Sequence, residues 1–186
     1  KTNRKGDYVD YPIGRFKPLL EVTETSNVIH EFTHNWSQDE YGTVGIYNNN
    51  GNASMTAGNI TVNGSQSVGV YSKDSSSVTL ISGGTIEAVG GNSGSAAALY
   101  AENSTIGIDN GTLLKASNNG ILFYTSYAGT TPTGSFNLVS GTAQAEIGAN
   151  GIGFYQKGDS SDSGLQTFLN TILTGSGTLN IKLTDQ

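Results

Sequence analysis

The chain's only two histidines stand four residues apart, in Asn27-Val28-Ile29-His30-Glu31-Phe32-Thr33-His34-Asn35-Trp36. This is an H-E-x-x-H pattern. On a helix, His30 and His34 lie one turn apart and could share a zinc ion, with Glu31 as general base toward a metal-bound water. Val28, Ile29, Phe32 and Trp36 would then make the apolar face, and Ser26 or Asn27 the N-cap. The same stretch also reads as a strand, because Val28, His30, Phe32, His34 and Trp36 share one face at a period of two. In that case it is an ordinary N-terminal segment.

Residues 27–36 resemble the metal-binding segment of the zincin metallopeptidases. The resemblance implies two ligands, His30 and His34, and a base, Glu31. It makes Glu40, six residues after His34, the candidate third ligand. The zincin branch with a ligand there has Gly where this chain has Ser37. A zincin also needs an upstream sheet to frame its cleft, and only 29 residues precede His30. A zinc metallopeptidase fragment is the enzymatic alternative, and zinc is the only cofactor implied.

Other chemistry is thin. Sugar-cleaving β-helices need clustered carboxylates, whereas Asp74, Glu87, Glu102, Asp109 and Glu146 are scattered along the sequence. Asp159-Ser160-Ser161-Asp162 reads as a solvated loop rather than a calcium site. There is no cysteine, so no disulfide or thiolate site exists. The net charge of −6 leaves no basic field for a phosphate backbone, which argues against a nucleic-acid partner. No run of about 18 apolar residues exists to span a membrane as a helix.

The elements that must position any site are written in a repeat. Val44-Gly45-Ile46-Tyr47 recurs as Val68-Gly69-Val70-Tyr71, Ala97-Ala98-Leu99-Tyr100, Ile121-Leu122-Phe123-Tyr124 and Ile152-Gly153-Phe154-Tyr155. A Gly step follows each one: Gly58-Asn59-Ile60, Gly84-Thr85-Ile86, Gly111-Thr112-Leu113, Gly141-Thr142-Ala143 and Gly177-Thr178-Leu179. Short alternating runs lie between them, Ala53/Met55, Val78/Leu80, Ile106/Ile108 and Phe136/Leu138. Each unit thus holds three short strands and cannot bury its own inner face. Stacked units can, each strand pairing in parallel with its equivalent about 4.8 Å away. High glycine (26 of 186 residues) and low charge (13%) fit such a solenoid and exclude a helical bundle.

Period two sends the residue before each Tyr inward, together with Val44, Val68, Ala97, Ile121 and Ile152, and turns the position between them outward. The tyrosines then form a ladder facing out or along a corner, either as a structural shield or as a strip for docking a sugar ring or protein. Leu113 and Leu114, both apolar, predict a bulge or a shifted face. Insertions fall at Gly90–Ala96, Thr125–Gly134 and Lys157–Gln166, and read as loops suited to recognition. Tyr127 and Pro132 are the candidate binding residues, Tyr127 as an exposed aromatic.

The Gly-Ile-Tyr runs with intervening Gly-Asn-Ile and Gly-Thr-Ile steps resemble passenger domains of type V autotransporters, especially the Gly-Ile-Tyr-rich fusobacterial-type surface adhesins, over residues 42–183. The resemblance implies a right-handed β-helix, exported across the outer membrane to the bacterial surface, where it adheres to a host protein or glycan or to other bacteria. The passenger itself is not membrane-inserted. The expectation is an all-β, right-handed parallel β-helix of about five to six turns over residues 42–186. Residues 1–41 form a less regular cap, and the chain is a fragment of a longer one. A structural stalk with no ligand is the second alternative to an adhesin.

Overall fold

The computed structural model describes residues 2–4, 9–11, 14–22, 26–29, 32–36, 43–64, 66–91, 95–158 and 161–185, with side chains from residue 44 onward. Before the repeat come β1 (Thr2–Arg4), β2 (Val9–Tyr11), β3 (Gly14–Val22), β4 (Ser26–Ile29) and β5 (Phe32–Trp36). Three coils follow: β6 (Thr43–Asn49), β7 (Asn52–Met55) and β8 (Gly58–Asn63); β9 (Val68–Lys73), β10 (Val78–Ile81) and β11 (Gly84–Val89); β12 (Ala97–Glu102), β13 (Thr105–Ile108) and β14 (Thr112–Ser117). The next coil inserts a hairpin: β15 (Ile121–Thr125), β16 (Tyr127–Ala128), β17 (Thr131–Pro132), β18 (Ser135–Leu138) and β19 (Thr142–Ile147). The last inserts a helix: β20 (Ile152–Phe154), α1 (Asp162–Ile172), β21 (Leu173–Gly175) and β22 (Thr178–Leu183).

Like strands stack on like. The first face runs β3-β6-β9-β12-β15-β20, the second β4-β7-β10-β13-β18-β21 and the third β5-β8-β11-β14-β19-β22. Every pairing along these faces is parallel, whereas β1 and β2 pair antiparallel to β3. The fold is a parallel β-solenoid. About four regular turns, β6 to β19, replace the five to six expected. The fifth Tyr signature opens a coil whose first strand, β20, is short and gives way to an insertion. Residues 14–36 add one strand to each face at the other end.

Inside, the second face stacks Ala53, Thr79, Ile106 and Phe136, and the third stacks Ile60, Ile86, Leu114 and Ala145, all buried. Of the alternating run Val78/Leu80, neither is a core residue: register buries Thr79 and Ile81 and leaves Val78 60% exposed. The polar Thr79 is tolerated because its hydroxyl accepts from Asn48 Nδ2 at 2.7 Å and bonds the Ser72 hydroxyl at 2.8 Å. The shift expected at Leu113-Leu114 is present. Thr112 pairs with Gly84, so Leu114 enters the core opposite Ile86.

The first face breaks its period. Ile46, Val70, Leu99 and Phe123 join the main core as expected. Val44, Val68 and Ala97 do not; they pack with Tyr47, Tyr71 and Tyr100 in a separate cluster. The position between, expected outward, turns toward the core. A Cβ on Gly69 would meet Ile86 Cγ2 at 2.6 Å and the Ala98 carbonyl oxygen at 2.7 Å, and Ala98 and Leu122 at the same position are core members. The strands of this face therefore bend at this position, which is small in three of the four regular turns, and two successive residues face inward there.

The tyrosines do stack, with ring centroids 5.1 Å (Tyr47–Tyr71), 4.4 Å (Tyr71–Tyr100), 5.0 Å (Tyr100–Tyr124) and 5.7 Å (Tyr124–Tyr155) apart. The first three rings are buried rather than outward, Tyr124 is half-buried, and only Tyr155 is exposed, at 44%. The corners carry their own signature. Asn50, Asp74 and Asn103, one residue past equivalent strand ends, all hold φ > 0, the region Asn and Asp enter most readily after Gly.

The bend gives a sharp test. If position 69 faces the core, Gly69→Leu overpacks it and lowers stability by about 2–3 kcal/mol. An outward position would tolerate the change. Urea denaturation followed by circular dichroism separates the two.

Candidate functional site

Two of the three expected insertions leave the same corner of the solenoid in successive coils. One runs from β15 to β18, the other from β20 to β21, both between the first and second faces. Parallel stacking then makes them neighbours, although about 30 residues separate them in sequence.

The first insertion is a hairpin with β16 and β17 antiparallel and Tyr127 opposite Pro132. Its base is closed by Thr125, whose hydroxyl donates to the Ala101 carbonyl at 3.0 Å and accepts from the Gly134 N–H at 2.8 Å. Above that, Thr133 N–H donates to the Ser126 carbonyl at 2.9 Å, and the Ser126 and Thr133 hydroxyls bond each other.

The second insertion contains α1, where a loop was expected. Ser161 caps it, its Oγ accepting from Gly164 N–H at 3.1 Å. Phe168 and Ile172, one helical turn apart, are buried in the main core. Leu165, Phe168, Leu169 and Ile172, with Ser161 four residues ahead of Leu165, are the signal that identifies this helix in the sequence.

Tyr127 joins the two insertions. Its hydroxyl donates to the Tyr155 carbonyl at 2.5 Å and accepts from the Lys157 N–H, and its ring meets Tyr155 edge-on at 6.2 Å. The expected exposed aromatic is thus half-buried, and it works as a strap that holds residues 155–157. Burial pushes its phenol up to about 12.

Between hairpin and helix lies an open cleft of about 340 Å³. Thr130, Thr131 and Pro132 form one wall, and Gln156 and Lys157 form the base. Ser163, Gly164, Thr167, Phe168 and Thr171 form the helical wall. Pro132 lines it directly, whereas Tyr127 acts from behind. Among the described residues, Lys157 is the only charged one in this lining, and no carboxylate pairs with it.

A second depression of about 350 Å³ lies on the third face. Register aligns Glu87, Lys115, Glu146 and Lys182 in one column, an order hidden in the sequence because coil lengths differ. Lys115 Nζ lies 3.8 Å from Glu87 and 3.6 Å from Glu146. The two carboxylates are thus separated by an ammonium, not paired for acid–base work. Near the first-face corner, Glu102 is buried, accepts from the Tyr71 hydroxyl and lies 3.6 Å from Lys73 Nζ. Burial first, then this hydrogen bond to a carboxylate, pushes Tyr71 far above its ordinary range. Burial also raises Tyr100 and Tyr124.

Of the metal reading, His30, Glu31 and Glu40 lie outside the described residues. His34 sits on β5, paired in parallel with β8 opposite Ile60. Residues 32–36 are therefore strand rather than the helix on which His30 and His34 would share an ion. In the third expected loop, Gly90, Gly91, Ser95 and Ala96 are described and residues 92–94 are not; Asn119 Nδ2 donates to the Gly91 carbonyl at 3.3 Å. Comparison with protein-family models, with curated proteins and with solved structures finds no match for the chain.

Two outcomes follow from Tyr127 and the ladder. Tyr127→Phe removes hydrogen bonds worth about 0.5–1.5 kcal/mol each, so amide exchange at Lys157 and Gly158 accelerates while exchange in β12 and β13 is unchanged. The phenols also make stability fall in alkali. Unfolded tyrosines ionise near 10, so below that pH both states keep their protons and stability is intact. Above it, the unfolded chain loses protons that Tyr71, Tyr100, Tyr124 and Tyr127 retain when folded, and stability declines from about pH 10 through 12. Absorbance at 295 nm, with the thermal midpoint at each pH, checks this.

Proposed function

We propose that this chain is a segment of a bacterial surface adhesin of the autotransporter-passenger kind, a solenoid spacer that carries one recognition cleft at a corner. The convergence of two insertions on that corner carries the reading. A stalk needs only the coils. Here two successive coils depart from the plan at the same place; Thr125 closes the first departure on itself, Ser161 caps the helix of the second, and Tyr127 ties one to the other. Loops held on a rigid scaffold are the usual seat of recognition.

The Gly-Ile-Tyr repeats support the family part of this reading, and the parallel solenoid is compatible with it. Recognition would proceed by surface complementarity without bond chemistry. The partner is a host surface protein or glycan, or another bacterium, met outside the cell after export across the outer membrane.

The test is adhesion of fluorescently labelled chain to cultured host cells and to bacteria, comparing wild type with Thr167→Trp, which fills the cleft from an exposed helical position. Binding by the wild type and a loss of about tenfold or more in the variant, at unchanged melting temperature, is expected. Equal binding by both proteins rejects the cleft as the site. Absence of binding by either makes the chain a stalk.

A further inference from the structure

We infer that the cleft between the β16–β17 hairpin and α1 takes an acidic sugar, its ring against the hydroxyl-lined walls and its carboxylate on Lys157. The inference rests on the reading of this cleft as the recognition site and names the ligand that the lining chemistry selects.

The walls come first. Thr130, Thr131, Ser163, Thr167 and Thr171 bring five hydroxyls to the cleft, and Gln156 an amide. In α1 the hydroxyls of Thr167 and Thr171 donate back to the carbonyls of Ser163 and Thr167, at 2.9 and 2.8 Å. Their oxygens thus keep lone pairs to accept from a ligand. Saccharides are the ligands whose many hydroxyls both donate and accept. Small apolar surfaces lie among the polar groups, the Pro132 ring and part of Phe168, and these suit the C–H face of a pyranose. The cleft is open on one side, so a terminal sugar can enter while the rest of its chain stays in water.

Charge then narrows the class. The chain carries −6 overall, yet among the described residues no carboxylate lines this cleft and none pairs with Lys157. Lys73 and Lys115, by contrast, each lie within 4.0 Å of a carboxylate. The backbone of Lys157 is also fixed, because its N–H donates to the Tyr127 hydroxyl that straps this segment. A cation on a fixed backbone, over a neutral hydroxyl-rich trough, matches one carboxylate on an otherwise uncharged polyol. A peptide would instead pair its main chain with a free strand edge, and the strand among the described lining residues, β17, is two residues long and includes Pro132, which has no N–H to donate.

The experiment titrates the full chain calorimetrically with glucuronic acid, N-acetylneuraminic acid, glucose and acetate, at low and high salt. The acidic sugars should bind, with glucose and acetate each about tenfold weaker or more, the difference expected when one charge-assisted hydrogen bond or the ring contacts are missing. Lys157→Ala should bring the acidic sugars down to the level of glucose, Lys157→Arg should keep part of the preference, and high salt should erode it. Thr167→Trp should abolish binding of every sugar. Circular dichroism melting checks that each variant is folded.

Glucose bound as well as glucuronic acid, acetate bound as well as either, or an acid preference that survives Lys157→Ala overturns the inference. Binding of none of the four overturns it too. If cell adhesion is still lost in Thr167→Trp, the cleft remains the recognition site and its ligand is a protein. Sugar binding unaffected by Thr167→Trp removes both the inference and the cleft.

Discussion

Each coil of this chain buries its inner face only because another coil of the same plan lies about 4.8 Å away, in register. That constraint acts on every side chain at once. A residue type that fits at one level must be tolerated by its equivalents above and below, which yields columns such as Ile60, Ile86, Leu114 and Ala145. It also governs departures from the plan. An insertion can leave only at a corner, because a residue added inside a strand would throw all later pairs of that strand onto the wrong face. Two insertions at the same corner in successive coils therefore become neighbours without any further instruction.

The first face shows what the constraint permits when a local rule fails. A strict period of two would have put Tyr47, Tyr71 and Tyr100 in water. Instead the strands bend together at Gly45, Gly69 and Ala98, where the core wall leaves little room for a side chain. The bend sends Val68 and Tyr71 to the same side, and a second buried cluster forms around the stacked rings. Since each level bends alike, parallel pairing survives on both sides of the bend. Buried phenols need partners, and Tyr71 finds one in Glu102, itself balanced by Lys73.

What the sequence made legible follows from the same distinction. The Tyr signatures and Gly steps recur because the stacking demands them, so the parallel solenoid could be read directly. Register was less visible. Thr79 looks like an outward residue until Asn48 and Ser72 are known to meet it, and Leu114 displaces Leu113 only because Thr112 pairs with Gly84. The bend at Gly69 was hidden because its cause, Ile86 Cγ2, lies on another face. The insertions at 125–134 and 157–166 were legible as departures from the repeat. Their convergence was not, because it depends on which corner each one leaves. Tyr127 was singled out for exposure, and what it supplies is a strap.

The two depressions differ in what a ligand would have to displace. On the third face, Lys115 is already shared between Glu87 and Glu146, so a ligand there would have to break ion pairs and leave a charge uncompensated. Alternating signs along that column instead favour the observed register, because each of these strands carries one charge and a slip would separate it from its opposite neighbours. In the corner cleft the polar groups are neutral hydroxyls and one amide, and the one charge has no carboxylate partner among the described residues. A ligand there replaces water rather than protein. The hairpin and helix that form it are closed by their own hydrogen bonds, so little ordering remains to be paid on binding. The solenoid stiffens the hairpin by anchoring it at both ends on strands paired on either side, β15 and β18, while the helix is anchored on β20 and β21, which pair with those same two strands. The geometry of the cleft is thus set by the register of the coils beneath it.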